Sequence, residues 1–378
     1  MKNHTVRERP FEYLRRREDG TAFPESTVRN WYLARAYVLD RLRDITFGPS
    51  SGGHLHAVVN GDSPLMLSVA RQLALSAHYA NFVEYDALDR LVCRNRSVIT
   101  LVSRKPADPI LSELSQEAYL GHLPDYCRLS VYGALRNADS FIDLELEIVS
   151  RQDREEGCLW IDEEDVTAFA ASRPAEEIYS IDTRKAVRAG ETYRLGAVID
   201  NIPYESIHSP GRYSDALDTF QYRVLQEKKD GTLITPAWER DPVAVTNGLS
   251  NIICTDCFAS RALAILRQYP EGKKPDRRIM KAVWEKNCQA LSLSEHSRWV
   301  VEKLVMGFRP LSEEQRKAYA SLFGERRTAF LQRLKCDPAA PAHLDICSYR
   351  ELRRVDPDKL KYDSFLMLAI PLILGKDE

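Results

Sequence analysis

Short apolar runs that alternate with helix-period stretches constrain the fold of this chain more than any other feature. The runs cover residues 56–60, 98–102 and 128–132, and the segments between them carry apolar residues at helical spacing. Strands that alternate with helices form a parallel sheet, because each helix carries the chain back to the same edge. The pattern predicts an α/β fold with a mainly parallel, Rossmann-like sheet in which Val58 and Leu101 lie on neighbouring buried strands.

Changes in composition divide the chain into three predicted domains. Residues 1–50 are polar and predict a helical arm, with Ser26 as the cap of its main helix. A stretch of glycine, proline and serine follows, after which residues 51–250 predict the Rossmann-like domain with an inserted hairpin at 220–234. Residues 251–378 are helical in pattern, and we expect them to form a second, mainly helical domain.

The charge balance excludes a broad class of functions. The chain has 53 lysines and arginines against 55 aspartates and glutamates, a formal net charge of −2. Proteins that hold nucleic acid by charge are strongly basic, so we expect no direct nucleic-acid partner. The hydrophobic share of 44% and the charged share of 29% are typical of a folded globular chain rather than a disordered one.

Neither end of the sequence predicts a membrane or secretory segment. The longest apolar stretch, residues 365–374, is interrupted by Pro371 and is roughly half as long as the ~20 residues that a membrane helix needs. We expect it to form a buried terminal helix. Residues 1–17 are rich in charge and hold no apolar run of the kind found in signal peptides. The expectation is a soluble, cytoplasmic protein without a membrane partner.

Eight cysteines are spread along the chain, and only Cys254 and Cys257 have C-x-x-C spacing. A structural zinc site built on this pair would need a second set of ligands at comparable spacing, which the sequence lacks. The pair lies in an amphipathic stretch, residues 252–266, where cysteine acts as a small hydrophobic residue. We therefore predict reduced thiols and no metal site.

The turn after the first strand is the candidate cofactor-binding site. Of a G-x-G-x-x-G dinucleotide fingerprint only Gly61 is present, followed by Asp62, Ser63 and Pro64. Backbone amides at a helix start can hold an anion, but the Asp62 carboxylate repels phosphate and Pro64 has no N–H. Arg104, after the second strand, suits a phosphorylated ribose; the alternative is a solvated loop residue. A nucleotide remains open as the cofactor, whereas the missing glycines argue against NAD.

A second candidate site lies on a helix at residues 293–308. A helical projection places a core stripe on one face: Leu293, Ser297, Val300 and Leu304. It places a charged stripe on the opposite face, which we expect in water: Glu295, Arg298 and Glu302. His296, Trp299 and Lys303 form a flank between these two stripes. The indole of Trp299 can stack on a base, and the two cations can bind phosphate. The alternative is a half-buried tryptophan at the edge of the core.

The run E-H-x-R-W-x-x-E-K-x-x-x-G-F over residues 295–308 resembles the signature of the ryanodine-receptor repeat (RyR) domain. Residues 343–352 and 361–363 resemble the later motifs of that family, in the expected order. The resemblance covers about 280–375 and implies that the second domain is RyR-like and helical. Phe308 stands where the family usually has tryptophan.

The resemblance also implies a ligand site and a function. It brings Tyr349, Tyr362 and Asp363 towards the helix flank, so that these residues and Phe308 join the candidate ligand-binding set. Bacterial RyR proteins often carry a Trk-type NAD-binding Rossmann domain, which residues 54–150 resemble. The family implies a sensor of small anionic, nucleotide-derived ligands that is linked to antiviral defence. A protein partner or a homo-oligomer would then carry its output.

Common catalytic motifs are missing from the sequence. It contains no G-x-S-x-G, no P-loop, no H-E-x-x-H and no zinc-deaminase signature. The acidic run at 162–165 is more typical of a helix start than of a metal site. We assign no catalytic residue and expect a non-enzymatic regulatory protein. A nucleotide- or NAD-processing enzyme and a protein-interaction scaffold remain the alternatives.

Overall fold

The computed structural model describes residues 23–178, 250–268 and 277–367, apart from positions 251, 252, 255, 338, 358, 361, 362, 365 and 366. The hairpin expected at 220–234 lies outside the described residues. The apolar stretch at 365–374 also lies outside them, except for Met367, which is buried. None of the described helices combines the length and the apolar character needed to cross a membrane.

A six-stranded mixed sheet forms the centre of residues 23–178, which we call the sheet unit. Its strands are β1 (His56–Asn60), β4 (Ser97–Val102), β5 (Arg128–Val131), β6 (Ala134–Arg136), β7 (Leu144–Val149) and β8 (Leu159–Asp162). They are arranged in the order β6-β5-β7-β4-β1-β8, and every pairing is parallel except that of β5 with the edge strand β6. The α/β prediction is confirmed, and Val59 pairs with Leu101 across β1 and β4, as adjacent buried strands require.

Two further strand pairs are small. An antiparallel ribbon joins β2 (Val83–Tyr85) to β3 (Leu91–Arg94). A short parallel pair joins β9 (Arg309–Pro310) to β10 (Ala342–His343). This second pair places His343 opposite Pro310.

Eleven helices are described, and most lie where apolar residues recur at helical spacing. The sheet unit holds α1 (Glu25–Leu42), α2 (Pro64–Ser76), α3 (Ala107–Leu114), α4 (Leu123–Tyr126), α5 (Glu163–Ala171) and α6 (Ala175–Ile178). The later part holds α7 (Phe258–Leu266), α8 (Arg277–Val305), α9 (Glu313–Ala320), α10 (Glu325–Lys335) and α11 (Tyr349–Val355). Helix α1 begins one residue before Ser26, with Pro24 at its cap position, so the expected capping role of Ser26 is wrong.

Side chains alternate along each strand, so one face of the sheet is apolar. The other face mixes polar side chains with valines such as the buried Val58, and we call it the polar face. The apolar side chains pack into the main core with α2, including those of Ala57, Val59, Ile99 and Leu101. The polar side chains of the strands lie on the other face, among them those of His56, Thr100 and Glu147. Parallel sheets are usually covered by apolar contacts on both faces. The buried Thr100, paired with Val58 across β1 and β4, is therefore a polar residue that fold stability alone does not explain.

Helix α8 joins the main core of the sheet unit. Val300, Val301, Leu304 and Val305 belong to the same buried cluster as the sheet residues. The backbone N–H of His122, in the loop before α4, donates to the Leu304 carbonyl at 2.9 Å. The C-terminal half of α8 is consequently enclosed on more than one side, which decides the environment of every candidate residue on it.

Candidate functional site

The charged stripe of α8 is buried, contrary to the expectation that it faces water. Glu295 and Glu302 are 0% exposed and Arg298 is 1% exposed. The Arg298 guanidinium donates to Glu295 at 2.9 Å and pairs with Glu302, while Arg261 of α7 donates to Glu295 at 2.7 Å. Helix α7 covers this face and supplies the opposite charge, so the three side chains can leave water together.

The charges of this network hold one another in the ionised state. Burial alone would raise the pKa of Glu295, but Arg298 and Arg261 lower it to about 2. Burial likewise opposes ionisation of Glu302, whose pKa the Lys303 and Arg298 charges lower. The Ser250 hydroxyl also donates to Glu302 at 2.9 Å. Both carboxylates are thus paired with at least two donors each, which makes the network structural.

The flank beside this network carries a cluster of rings around an ammonium group. Lys303 Nζ lies 5.5 Å from the centre of the Trp299 ring and 5.9 Å from that of Phe308. The His343 ring contacts Trp299 edge-on, with centroids 4.8 Å apart, and lies 6.4 Å from Phe308. Trp299 and Phe308 are half-buried, so each keeps an accessible surface. We call Trp299, Lys303, Phe308 and His343, together with Lys335, the aromatic–lysine site.

Helix termination places Phe308 in this site. Helix α8 ends at Val305, and Gly307 adopts a φ of +86°. This left-handed conformation favours glycine and reverses the chain after a helix. The Phe308 amide then donates to the Lys303 carbonyl at 2.9 Å, which sets the ring beside the lysine side chain.

Positive charge converges on His343. Burial lowers the pKa of this imidazole well below its usual value, and the charges of Lys335, Lys303 and Lys359 lower it further. His343 Nδ1 accepts from the Asp345 amide at 3.2 Å, so the neutral ring carries its proton on Nε2. That Nε2–H has no hydrogen-bond partner among the described residues.

Lys335 differs from the arginines of the buried network, because its charge is not paired. Burial lowers the pKa of this ammonium, which is half-enclosed at the end of α10. It makes no hydrogen bond or ion pair with any residue that the structure describes. A partly desolvated cation without a partner stabilises any anion that reaches it.

His296, Tyr349 and Asp363 lie on the other side of the predicted stripe. His296 Nε2 donates to the Cys347 carbonyl at 2.9 Å, and Nδ1 lies 3.6 Å from the Asp363 carboxylate. Burial opposes the imidazolium, but Asp363 and the Cys347 carbonyl raise the pKa of His296. The Tyr349 ring lies 5.4 Å from that of His296. These three buried side chains attach the C-terminal segment to α8, whereas Tyr362 lies outside the described residues.

The turn after β1 is closed by its own side chains. Ser63 caps α2 by accepting from the Met66 amide at 3.3 Å, and the Asp62 carboxylate accepts a hydrogen bond from the Ser103 hydroxyl. Lys105 Nζ lies 3.7 Å from Asp62 and 2.5 Å from Glu113. Gly61 begins this turn, and the nearby Arg104 is exposed, with no partner among the described residues. Of the predicted cofactor residues, only Arg104 presents an unpaired charge.

Cys254 and Cys257 are buried free thiols next to α7. The Cys257 thiol donates weakly to the Leu75 and Ser76 carbonyls at 3.6 Å, and burial raises its pKa to about 12. Cys257 therefore packs against α2, whereas the Cys254 sulfur lies 3.9 Å from the Arg261 guanidinium in the buried charged network.

Sequence reasoning missed two residues of the aromatic–lysine site, Lys335 and His343. His343 begins the second motif of the RyR resemblance, which was a usable signal. Lys335 has no such signal, because only the folding of α10 brings it near. No protein-family model, curated protein or solved structure matches this chain.

Proposed function

We propose that this chain is a ligand-responsive regulatory protein that binds a small anionic, nucleotide-like molecule at the aromatic–lysine site. The observation that carries the proposal is the unpaired Lys335 ammonium near a neutral His343 that packs edge-on against the half-buried Trp299 ring. The RyR-like motifs of the sequence support the same function. The anion is recognised by Lys335, Lys303 and the Nε2–H of His343.

The rings supply the second part of recognition. Trp299 and Phe308 offer flat apolar surfaces on either side of the Lys303 ammonium, and a base that stacks on such a ring gains about 1–3 kcal/mol. A molecule that carries both a phosphate and an aromatic base binds the cations and the rings at the same time. A nucleotide therefore fits the chemistry of the site better than a simple anion or an uncharged aromatic compound.

A chain of ionic contacts favours regulation over passive binding. Lys303 Nζ contacts Glu302 at 2.7 Å, Glu302 pairs with Arg298, and Ser250 donates to the same carboxylate. A phosphate that attracts Lys303 competes with Glu302 for it. Ligand binding can thus alter the buried network and the segment that begins at Ser250. This coupling supports a sensor rather than a scaffold.

Calorimetric titration with ADP, adenosine and pyrophosphate tests the proposal, because the three probes separate the base from the anion. We expect ADP to bind most tightly. Lys335→Met should weaken ADP and pyrophosphate by about tenfold or more, since a charge-assisted hydrogen bond contributes about 1.5–3 kcal/mol. Trp299→Leu should weaken ADP and adenosine and leave pyrophosphate unchanged.

Arg104→Met is the matched control, because it removes an unpaired exposed cation from the turn after β4 instead. We expect it to leave all three affinities unchanged. A loss of ADP binding in Arg104→Met, with normal binding in Lys335→Met, would show that ADP binds at the turns after β1 and β4 instead. An absence of binding by all three probes at millimolar concentration would contradict the proposal.

A further inference from the structure

Three potential metal ligands meet at the polar face of the sheet, where the first strand and the last strand begin. The imidazole of His56, the thiol of Cys158 and the carboxylate of Glu155 place their ligand atoms within 4.8 Å of one another. Cys158 Sγ lies 3.1 Å from His56 Nδ1. His56 and Cys158 are half-exposed, so the group is enclosed on the sheet side and open to solvent on the other.

Parallel strand pairing and a tight turn bring these residues together. Strands β1 and β8 are neighbours, with Ala57 opposite Leu159, so the residues just before them are adjacent. The Cys158 amide donates to the Glu155 carbonyl at 3.3 Å, and Gly157 has a φ of +91°. This is the geometry of a type II turn, in which the third position requires glycine. The turn holds the thiol and the carboxylate on one side.

A hydrogen-bond chain fixes the state of the histidine. The Thr100 hydroxyl donates to Glu147 at 2.9 Å, so its oxygen must accept from His56 Nε2, which also lies 2.9 Å away. His56 consequently carries its proton on Nε2 and directs the lone pair of Nδ1 at Cys158. Histidines that bind metals are commonly oriented by a hydrogen bond of this kind, with a carboxylate behind it.

We propose that His56 Nδ1, Cys158 Sγ and Glu155 bind a zinc ion on the polar face of the sheet. One nitrogen, one sulfur and one carboxylate oxygen form a ligand set that Zn²⁺ accepts, whereas Mg²⁺ and Ca²⁺ prefer oxygen alone. On binding, the thiol loses its proton to solvent and the thiolate becomes the sulfur ligand. Three protein ligands leave a fourth position open for water or for a further donor.

The site also explains why Thr100, His56 and Glu147 lie together on this face. Thr100 is buried in the middle of the sheet, and its hydroxyl is used to connect His56 with Glu147. A valine would fill the same volume without the need for polar partners. A histidine that binds a metal needs a hydrogen-bond acceptor behind it, and Thr100 and Glu147 supply that chain for His56. This site is separate from the aromatic–lysine site and does not depend on its function.

Metal titration of the full chain under reducing conditions tests the proposal. Protein stripped with a chelator is titrated with Zn²⁺ and, separately, with Co²⁺, whose thiolate charge-transfer band reports a Co–S bond. We expect one equivalent of tight binding and the appearance of that band. Cys158→Ser should abolish the band, whereas the control Cys336→Ser, which removes an exposed thiol elsewhere, should leave it unchanged.

Three further variants separate loss of coordination from a general loss of folding. Thr100→Val removes the hydrogen bond to His56 without removing a ligand, and we expect it to weaken zinc binding by about 10- to 100-fold. Thr100→Ser should restore most of that affinity. Glu155→Gln, at an exposed position, should weaken binding in a protein that still folds. A cobalt band or tight zinc binding that persists in Cys158→Ser would overturn the assignment, as would the absence of tight binding in the unaltered chain.

Discussion

The buried arginines around α8 and the lysine at the end of α10 are both withdrawn from water, yet they have opposite surroundings. Arg298 and Arg261 are enclosed with carboxylates that match their charge. Lys335 makes no described ion pair; its neighbours are the carboxylates of Asp345 and Asp356, at a distance, together with Lys359, Lys303 and the neutral His343. The difference shows that burial of a charge does not by itself identify a binding site. A binding site is indicated where the partner of the charge is missing.

Removing the central paired cation should have the largest effect. Arg298→Met leaves Glu295 and Glu302 buried with fewer partners, and we expect a loss of about 3–5 kcal/mol in the free energy of unfolding. Urea denaturation measures it. Arg326→Met is the control, because Arg326 is exposed on α10 and its replacement should change stability by less than about 0.5 kcal/mol. Equal stabilities of the two variants would show that the network is not structural.

A carboxylate that holds helix α11 to the sheet unit should rank next. Glu84 is buried and accepts from the amides of Tyr349 and Arg350 at 3.0 and 3.3 Å. Glu84→Gln keeps the shape but loses the charge, and we expect a loss of about 1–3 kcal/mol in thermal or urea unfolding. Asp89→Asn is the matched control: it breaks an exposed ion pair with Arg350 of the same helix and should cost little.

The two histidines should give pH effects of opposite sign. The folded pKa of His296 is raised, so its contribution is complete at low pH and is lost as pH rises above about 6.5. The folded pKa of His343 is lowered, so stability is lost as pH falls below about 6.5.

Unfolding free energies measured between pH 5 and 9, a range on the order of two units either side of the ordinary histidine pKa, test this opposition. His296→Gln should flatten the alkaline side of the profile, and His343→Gln should flatten the acidic side. The same change of slope in both variants would mean that the two rings do not differ in charge state.

The smallest stability effect should come from removing the unpaired cation. Lys335→Met breaks no described ion pair and relieves a partly buried charge, so we expect the free energy of unfolding to stay within about 0.5 kcal/mol of the parent chain. Differential scanning calorimetry of this variant beside Arg298→Met measures the contrast directly. A large destabilisation would mean that Lys335 is structural and would remove it from the aromatic–lysine site.

The sequence alone determined the elements that rest on local periodicity. The alternation of apolar runs and helical stretches predicted the parallel pairing of β1 with β4, and the acidic run at 162–165 predicted the start of α5. The strand order could not be read from it, because crossovers of similar length can place β7 on either side of β4. The predicted hairpin and Tyr362 lie outside the described residues.

Only the tertiary structure decided the environment of the charges on α8. Helical spacing shows which residues share a face, and it correctly grouped Glu295 with Arg298 and Glu302. It cannot show that Arg261, 34 positions before Glu295, covers that face with a matching charge. In the same way, the β9–β10 pair brings His343 against Trp299, and the packing of α10 brings Lys335 near His343. Charge energies depend on all neighbours in space, whereas a sequence pattern records only those along the helix.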